Sequence, residues 1–206
     1  METKNFGNVA SQETVDRTIA ALKTNNIEAF FVATGEEAKQ KVLELLPEGV
    51  EVMTMTSETL TAIGVTSIIN DSGKYNSIRA KFAKMDPAKD KKTMRQIGSA
   101  PDYTVGSVHA VTEHGEVMIA SNSGSQLPAY VFGAEKVIWV VGTQKIVRDR
   151  DEGFKRIYEY TLPLESERAK KAYGVAGSAV NKMVIVNHEN QVGRLTIIFV
   201  GEPLGF

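Results

Sequence analysis

SVHAVTEHGEVMIASNSGSQLPAYVFGAEKVIWVVGTQKIV, residues 107–147, is the stretch whose reading decides the fold. Apolar residues crowd both sides of Glu113, His114 and Gly115, a turn sequence, so residues 103–111 and 116–120 read as two strands of a hairpin. In KVIWVV, residues 136–141, every position after the lysine is apolar. That is the pattern of a strand covered on both faces, as in a parallel sheet. Between these elements, residues 121–126 (SNSGSQ) form a small-residue turn that opens a short helix over residues 127–132.

Working towards the N-terminus, Ser11 caps a helix whose Val15, Ile19 and Leu22 share one face, and Asn25 and Asn26 end it. Residues 27–33 (IEAFFVA) read as a strand, and residues 36–46 as a helix stopped by Pro47 and Gly49. A strand over residues 51–54 follows, then a helix capped by Thr56 or Ser57 and running through Ile63. The charged stretch 74–96 reads as one or two exposed helices broken near Asp86 and Pro87. Towards the C-terminus, residues 149–160 form a helix with Phe154 and Ile157 or Tyr158 facing inward, and residues 165–173 a second one ended by Gly174. Strands over residues 182–186 and 194–200 are expected to pair across HENQVG. Alternating strands and helices predict one α/β domain over residues 1–206: three layers, a mostly parallel sheet, helices on both faces and added hairpins.

Bulk composition narrows the function. A chain of 206 residues, 42% hydrophobic and 24% charged, is long enough to bury a core. Its 24 basic and 25 acidic residues leave a net charge of -1, so neither nucleic acid nor an anionic membrane is an expected partner. Cysteine is absent, which excludes disulfides, thiolate catalysis and a cysteine-held iron–sulfur cluster within this chain; the residues name no other cofactor. With a polar N-terminal stretch and no apolar run near the roughly 20 residues that span a bilayer, a soluble cytoplasmic protein is expected.

In open α/β sheets, ligands bind beyond the carboxyl ends of the strands. Three loops fit that position. One carries Thr54, Thr56 and Ser57; the second carries Asn122, Ser123, Gly124, Ser125 and Gln126; the third carries Gly142, Thr143 and Lys145, the last supplying positive charge. Small and hydroxyl side chains let backbone amides approach a phosphate or carboxylate, although turns and helix caps favour the same residues for their own reasons. Neither a dinucleotide-binding glycine motif nor a P-loop is present. Glu113, beside the small-residue loop, is the candidate catalytic carboxylate, as base or nucleophile, against its plainer reading as a solvated turn residue. His109 and His114 are five apart, which on a regular strand points them to opposite faces and argues against a shared metal. Tyr130, Phe132 and Trp139 read as core or interface; in the second case the interface is that of a homodimer.

The run from Asp102 to Val147, DYTVGSVHAVTEHGEVMIASNSGSQLPAYVFGAEKVIWVVGTQKIV, closely resembles the LUD (lactate utilisation) domain family. The likeness extends to LPEGVEVMTMTSETL at residues 46–60, LPLESERAKKAYG at 162–174 and the ending GEPLGF. It implies the fold superfamily of ribose-phosphate isomerase, CoA transferases and formyltetrahydrofolate cyclo-ligase. It also implies a part in oxidising L-lactate to pyruvate beside iron–sulfur partner proteins. Thr54, Thr56 and Ser57 resemble a phosphate-holding loop of that superfamily. Glu113 is loosely similar to the CoA-transferase glutamate ahead of Asn–Gly, with His114 standing where that motif has asparagine. Two functions fit these residues. One is a subunit that binds a small carboxylate or phosphorylated ligand and works with iron–sulfur redox partners. The other is a free-standing transferase, isomerase or ligase-type enzyme acting on a CoA-like or phosphorylated substrate.

Overall fold

A computed structural model describes residues 5–206. Its strands are β1 (Glu28–Val32), β2 (Glu51–Thr54), β3 (Asn76–Ser77), β4 (Tyr103–Gly106), β5 (Ala110–Thr112), β6 (Val117–Ser121), β7 (Lys136–Gly142), β8 (Ile146–Val147), β9 (Lys182–Val186) and β10 (Leu195–Val200). Six of them form one sheet in the order β1-β10-β7-β4-β2-β3, every neighbouring pair parallel. The other four form a smaller mixed sheet, β8-β5-β6-β9, in which β5 and β6 are the antiparallel hairpin and β8 runs parallel to β5.

The period-two geometry of a strand sorts the central residues between two cores. Val137, Trp139 and Val141 of β7 and Leu195, Ile197 and Phe199 of β10 point to one face; Ile138, Val140, Ile198 and Val200 point to the other. The first face receives α1 (Gln12–Thr24), through Val15 and Leu22. The second receives α2 (Gly35–Leu45), α3 (Glu58–Ala62) and α4 (Val65–Asp71), through Ala38, Val42, Leu60, Val65 and Ile69. Ile78 of α5 (Ile78–Phe82) and Ile97 of α6 (Lys91–Ser99) return to the first face. The small sheet, which contains the added hairpin, also packs there through Val111, Val117, Ile119 and Ile146 and shares that face with the helices. Its outer side, with Ala110, Met118 and Val147, is covered by Ile157. No helix among the described residues is long and apolar enough to cross a membrane.

Three expectations are corrected. Residues 103–111 are two strands, not one: the chain leaves the large sheet after Gly106, crosses at residues 107–109 and enters the small sheet at Ala110. Gly106 makes the crossing because Tyr130 lies against it; a Cβ there would sit 1.7 Å from the Tyr130 hydroxyl. Strands β9 and β10 do not pair with each other. All six residues of β10 are buried, which needs a place between two neighbours, and it lies between β1 and β7. The half-covered β9 is the edge partner of β6. Finally, residues 150–173 form one continuous helical run, α7 (Arg150–Lys155) and α8 (Leu162–Tyr173) joined by a π-helical turn at Arg156–Thr161. Of the three inward candidates there, Ile157 is buried, while Phe154 and Tyr158 are exposed.

Local signals act as read elsewhere. Ser11 and Ser57 cap α1 and α3, accepting from the amides of Thr14 and Leu60. Tyr130 and Trp139 meet edge to face in the chain's own core, whereas Phe132 is exposed. The short helix after the small-residue turn is π-helical over Ala129–Gly133, and the buried guanidinium of Arg194 donates to its Ala129 and Tyr130 carbonyls, both at 3.1 Å.

Candidate functional site

The carboxyl ends of β2, β4 and β7 and the end of β6 open onto one cavity of about 320 Å³, between the two sheets and the helical run 150–173. Of the ligand-binding candidates read from the sequence, Thr56, Ser57, Asn122, Ser123, Ser125, Gln126 and Lys145 line it. The hydroxyl-rich loops after β2 and β6 are therefore brought together, and the loop after β7 delivers its lysine alone.

Lys145 is 2% exposed, and its Nζ lies 3.2 Å from Thr59 Oγ1 and 3.1 Å from Ser107 Oγ. No described carboxylate pairs with it. Burial, reinforced by the positive Arg156, pushes its pKa down to about 7. His109 stands beside it. Its Nδ1 accepts the Ala120 amide at 3.1 Å, which assigns the ring proton to Nε2. Enclosure by protein, then Lys145, then Arg156 lower its pKa to about 3, while part of its surface stays open to the cavity. A neutral imidazole with its lone pair already engaged offers the cavity a donor rather than a base.

Behind these two, the π-helical turn carries Arg156 into the interior. It is fully buried and donates to the carbonyl of His109 at 2.6 Å, to Thr161 Oγ1 at 2.9 Å and to the carbonyl of Gln144 at 3.4 Å. Its pKa falls to about 10, burial being the main cause. Arg79 lines the cavity from α5, held by the Thr54 carbonyl at 2.8 Å and Thr56 Oγ1 at 3.2 Å. Buried charges are ordinarily paired, so Lys145 and Arg156 without a described carboxylate leave the inner end positive. Arg168 lines the cavity differently: Glu165 holds it at 2.6 and 2.7 Å, with Glu58 at 3.8 Å. An anion is favoured at the lysine end and not beside Arg168.

The remaining sequence candidates lie outside the lining and support it. Thr54 is buried, donating to Asn70 Oδ1 at 3.1 Å while its carbonyl orients Arg79. The Gly124 amide donates to Ser121 Oγ, fixing the turn at φ +85, and Gln126 braces the same loop by accepting from Ser121 and donating to the Ala120 carbonyl. Gly142 and Thr143 are buried; a Cβ on Gly142 would come 2.8 Å from Leu204 N, so the loop after β7 packs on the C-terminal residues. Glu113 is set apart. It pairs with Arg17 of α1, 2.5 Å from NH2 and 2.9 Å from Nε, and its turn rests on α1, where a Cβ on Gly115 would meet the Ala21 backbone at 2.7 Å.

Sequence reasoning passed over His109 as a ligand-facing donor and did not single out Ser107, Thr59, Arg79 or Arg156. The two arginines sit in helical stretches whose charges look solvated, and only the π turn and the packing of α5 turn them inward. Ser107 and His109 lie in what reads as an unbroken strand. The crossing between sheets exposes them to the cavity, and Gly106 beside the apolar hairpin is the one local sign of it.

A crystal structure of a DUF162 family protein from Deinococcus radiodurans has a similar fold, with a TM-score of 0.57 at 13% identity, covering 93% of this chain and 99% of that one. No curated protein matches the sequence. The family model of the LUD domain matches residues 15–200, and the chain belongs to the LUD domain family.

Proposed function

We propose that the cavity binds a small organic acid of the lactate and pyruvate class, and that the chain acts as a ligand-binding subunit in L-lactate utilisation. One observation carries this reading: a buried lysine with no described carboxylate partner borders a polar cavity at the strand ends. A ligand carboxylate supplies the missing counter-charge, and the Nε2–H of His109 is a donor for the hydroxyl or keto oxygen beside it. At about 320 Å³ the cavity is at the small end of the range for small-molecule sites. Oxidation of lactate to pyruvate releases two electrons and two protons. Because the chain has no cysteine, thiolate-held clusters that take those electrons belong to iron–sulfur partner proteins.

Thermal unfolding in the presence of L-lactate, pyruvate, inorganic phosphate and coenzyme A tests the proposal. A saturable rise in melting temperature with the two organic acids is expected, since a ligand that binds only the folded state stabilises it by mass action. No rise with either acid overturns it. The Arg79, Thr56 and Ser57 corner favours a second reading, because a guanidinium beside two hydroxyls also suits a phosphoryl group. A rise with phosphate or coenzyme A alone selects that reading, a free-standing transferase, isomerase or ligase-type enzyme.

A further inference from the structure

We propose that Lys145 holds a 2-oxo acid covalently, as an imine between its Nζ and the ketone carbon of the ligand. This rests on the organic-acid reading above and separates the oxidised ligand, which has a carbonyl, from the hydroxy acid, which has none.

The surroundings of Nζ leave it one open side. Thr59 Oγ1 donates its own proton to the Leu204 carbonyl at 3.1 Å, so towards Lys145 it only accepts. Ser107 Oγ lies at 3.1 Å and can accept a second N–H. Gly205, at φ +62, closes the flank: a Cβ there would meet Thr59 Oγ1 at 2.5 Å and Nζ at 3.5 Å. With both N–H bonds of the neutral amine placed on the two hydroxyls, the lone pair is left for the cavity that Lys145 lines. Desolvation beside Arg156, with a pKa near 7, keeps a large share of the amine neutral at neutral pH, the state that attacks a carbonyl.

The step balances without an oxidant or reductant. The Nζ lone pair forms the C–N bond as the carbonyl π pair moves onto oxygen. Both amine protons then leave with that oxygen as water, and nitrogen makes its second bond to carbon. The Nε2–H of His109 polarises the carbonyl oxygen in the attack, and Arg79 is the cation left to face the ligand carboxylate once Lys145 is committed to carbon.

Borohydride reduction of the full chain with pyruvate, followed by intact-mass and peptide mapping, is the test. One reduced pyruvyl group on the peptide bearing Lys145 is expected, roughly tenfold or more above any other lysine. L-lactate should give no adduct, and Lys145→Arg should lose the adduct at that position. If pyruvate raises the melting temperature but Lys145 carries no adduct, the imine is wrong and the binding reading stands. If there is neither shift nor adduct, both fall. Should Lys145→Arg fail to fold, mapping on the unsubstituted chain decides alone.

Discussion

Glu113 and Lys145 come from the same strand-rich unit and meet opposite fates. Glu113 sits on a hairpin turn, paired with Arg17 of α1 at the surface. Lys145 sits two strands later, buried, with two hydroxyls and no described carboxylate. The carboxylate looks reactive in the sequence because it is charged and lies in a turn; in the fold its charge is already answered. An unanswered charge is expensive to bury, so a fold that keeps one beside a cavity marks where an external partner can bind.

Replacing the lysine tests the contrast hardest. Lys145→Met should abolish the melting-temperature response to pyruvate and L-lactate while raising unfolding stability by about 1–4 kcal/mol at pH 7, read by urea denaturation. A variant that is less stable and still responds to the acids would break the comparison.

The same group predicts a pH slope. Its folded-state pKa is depressed from 10.5 to about 7, so between those values the unfolded chain holds a proton that the folded chain does not. Stability therefore rises from pH 7 towards pH 10.5 and is flat in this group's contribution below 7, a span on the order of 5 kcal/mol. His109 stays neutral across that window, whereas Arg156, with a pKa near 10, begins to lose its charge at the alkaline end; the slope is therefore read between pH 7 and about 9, where Lys145→Met should lose it. Persistence of the slope in the variant would assign it to another group.

A smaller effect is expected at the neighbouring imidazole. His109→Leu deprives the Ala120 amide of its acceptor and should cost about 1–3 kcal/mol, along with part of the ligand response. Unchanged stability would mean that the amide finds another partner. The smallest effect is the other half of the contrast: Glu113→Gln should leave the ligand response intact and shift the unfolding midpoint little, because exposed pairs contribute little. Loss of the response in that variant would move the chemistry to the hairpin.

Much of this was legible in residue order. KVIWVV announced a central strand because both of its faces are apolar, and the adjacent hydroxyls of Thr56 and Ser57 announced the start of α3, although only the structure picks Ser57 as its cap. Lys145 was visible as a cation after that strand. Strand order was not, because alternation reports how well a strand is covered and not by which neighbour; β10 between β1 and β7 is a long-range outcome. Nor was Arg156 visible as an interior cation. A π turn shifts the side chains by a fraction of a turn, and nothing local distinguishes the run around Arg156 from an ordinary amphipathic helix.

The chain steps from one sheet to the other twice at this point, once at residues 107–109 and again through the tight turn at Thr143–Lys145. Whatever rests against Ser107, His109 and Lys145 thus grips both crossings at once and works as mortar between two β layers. Affinity at the cavity and the rigidity of that seam are then one free energy measured twice, and slowed amide exchange in β5 and β8 becomes a gauge of occupancy.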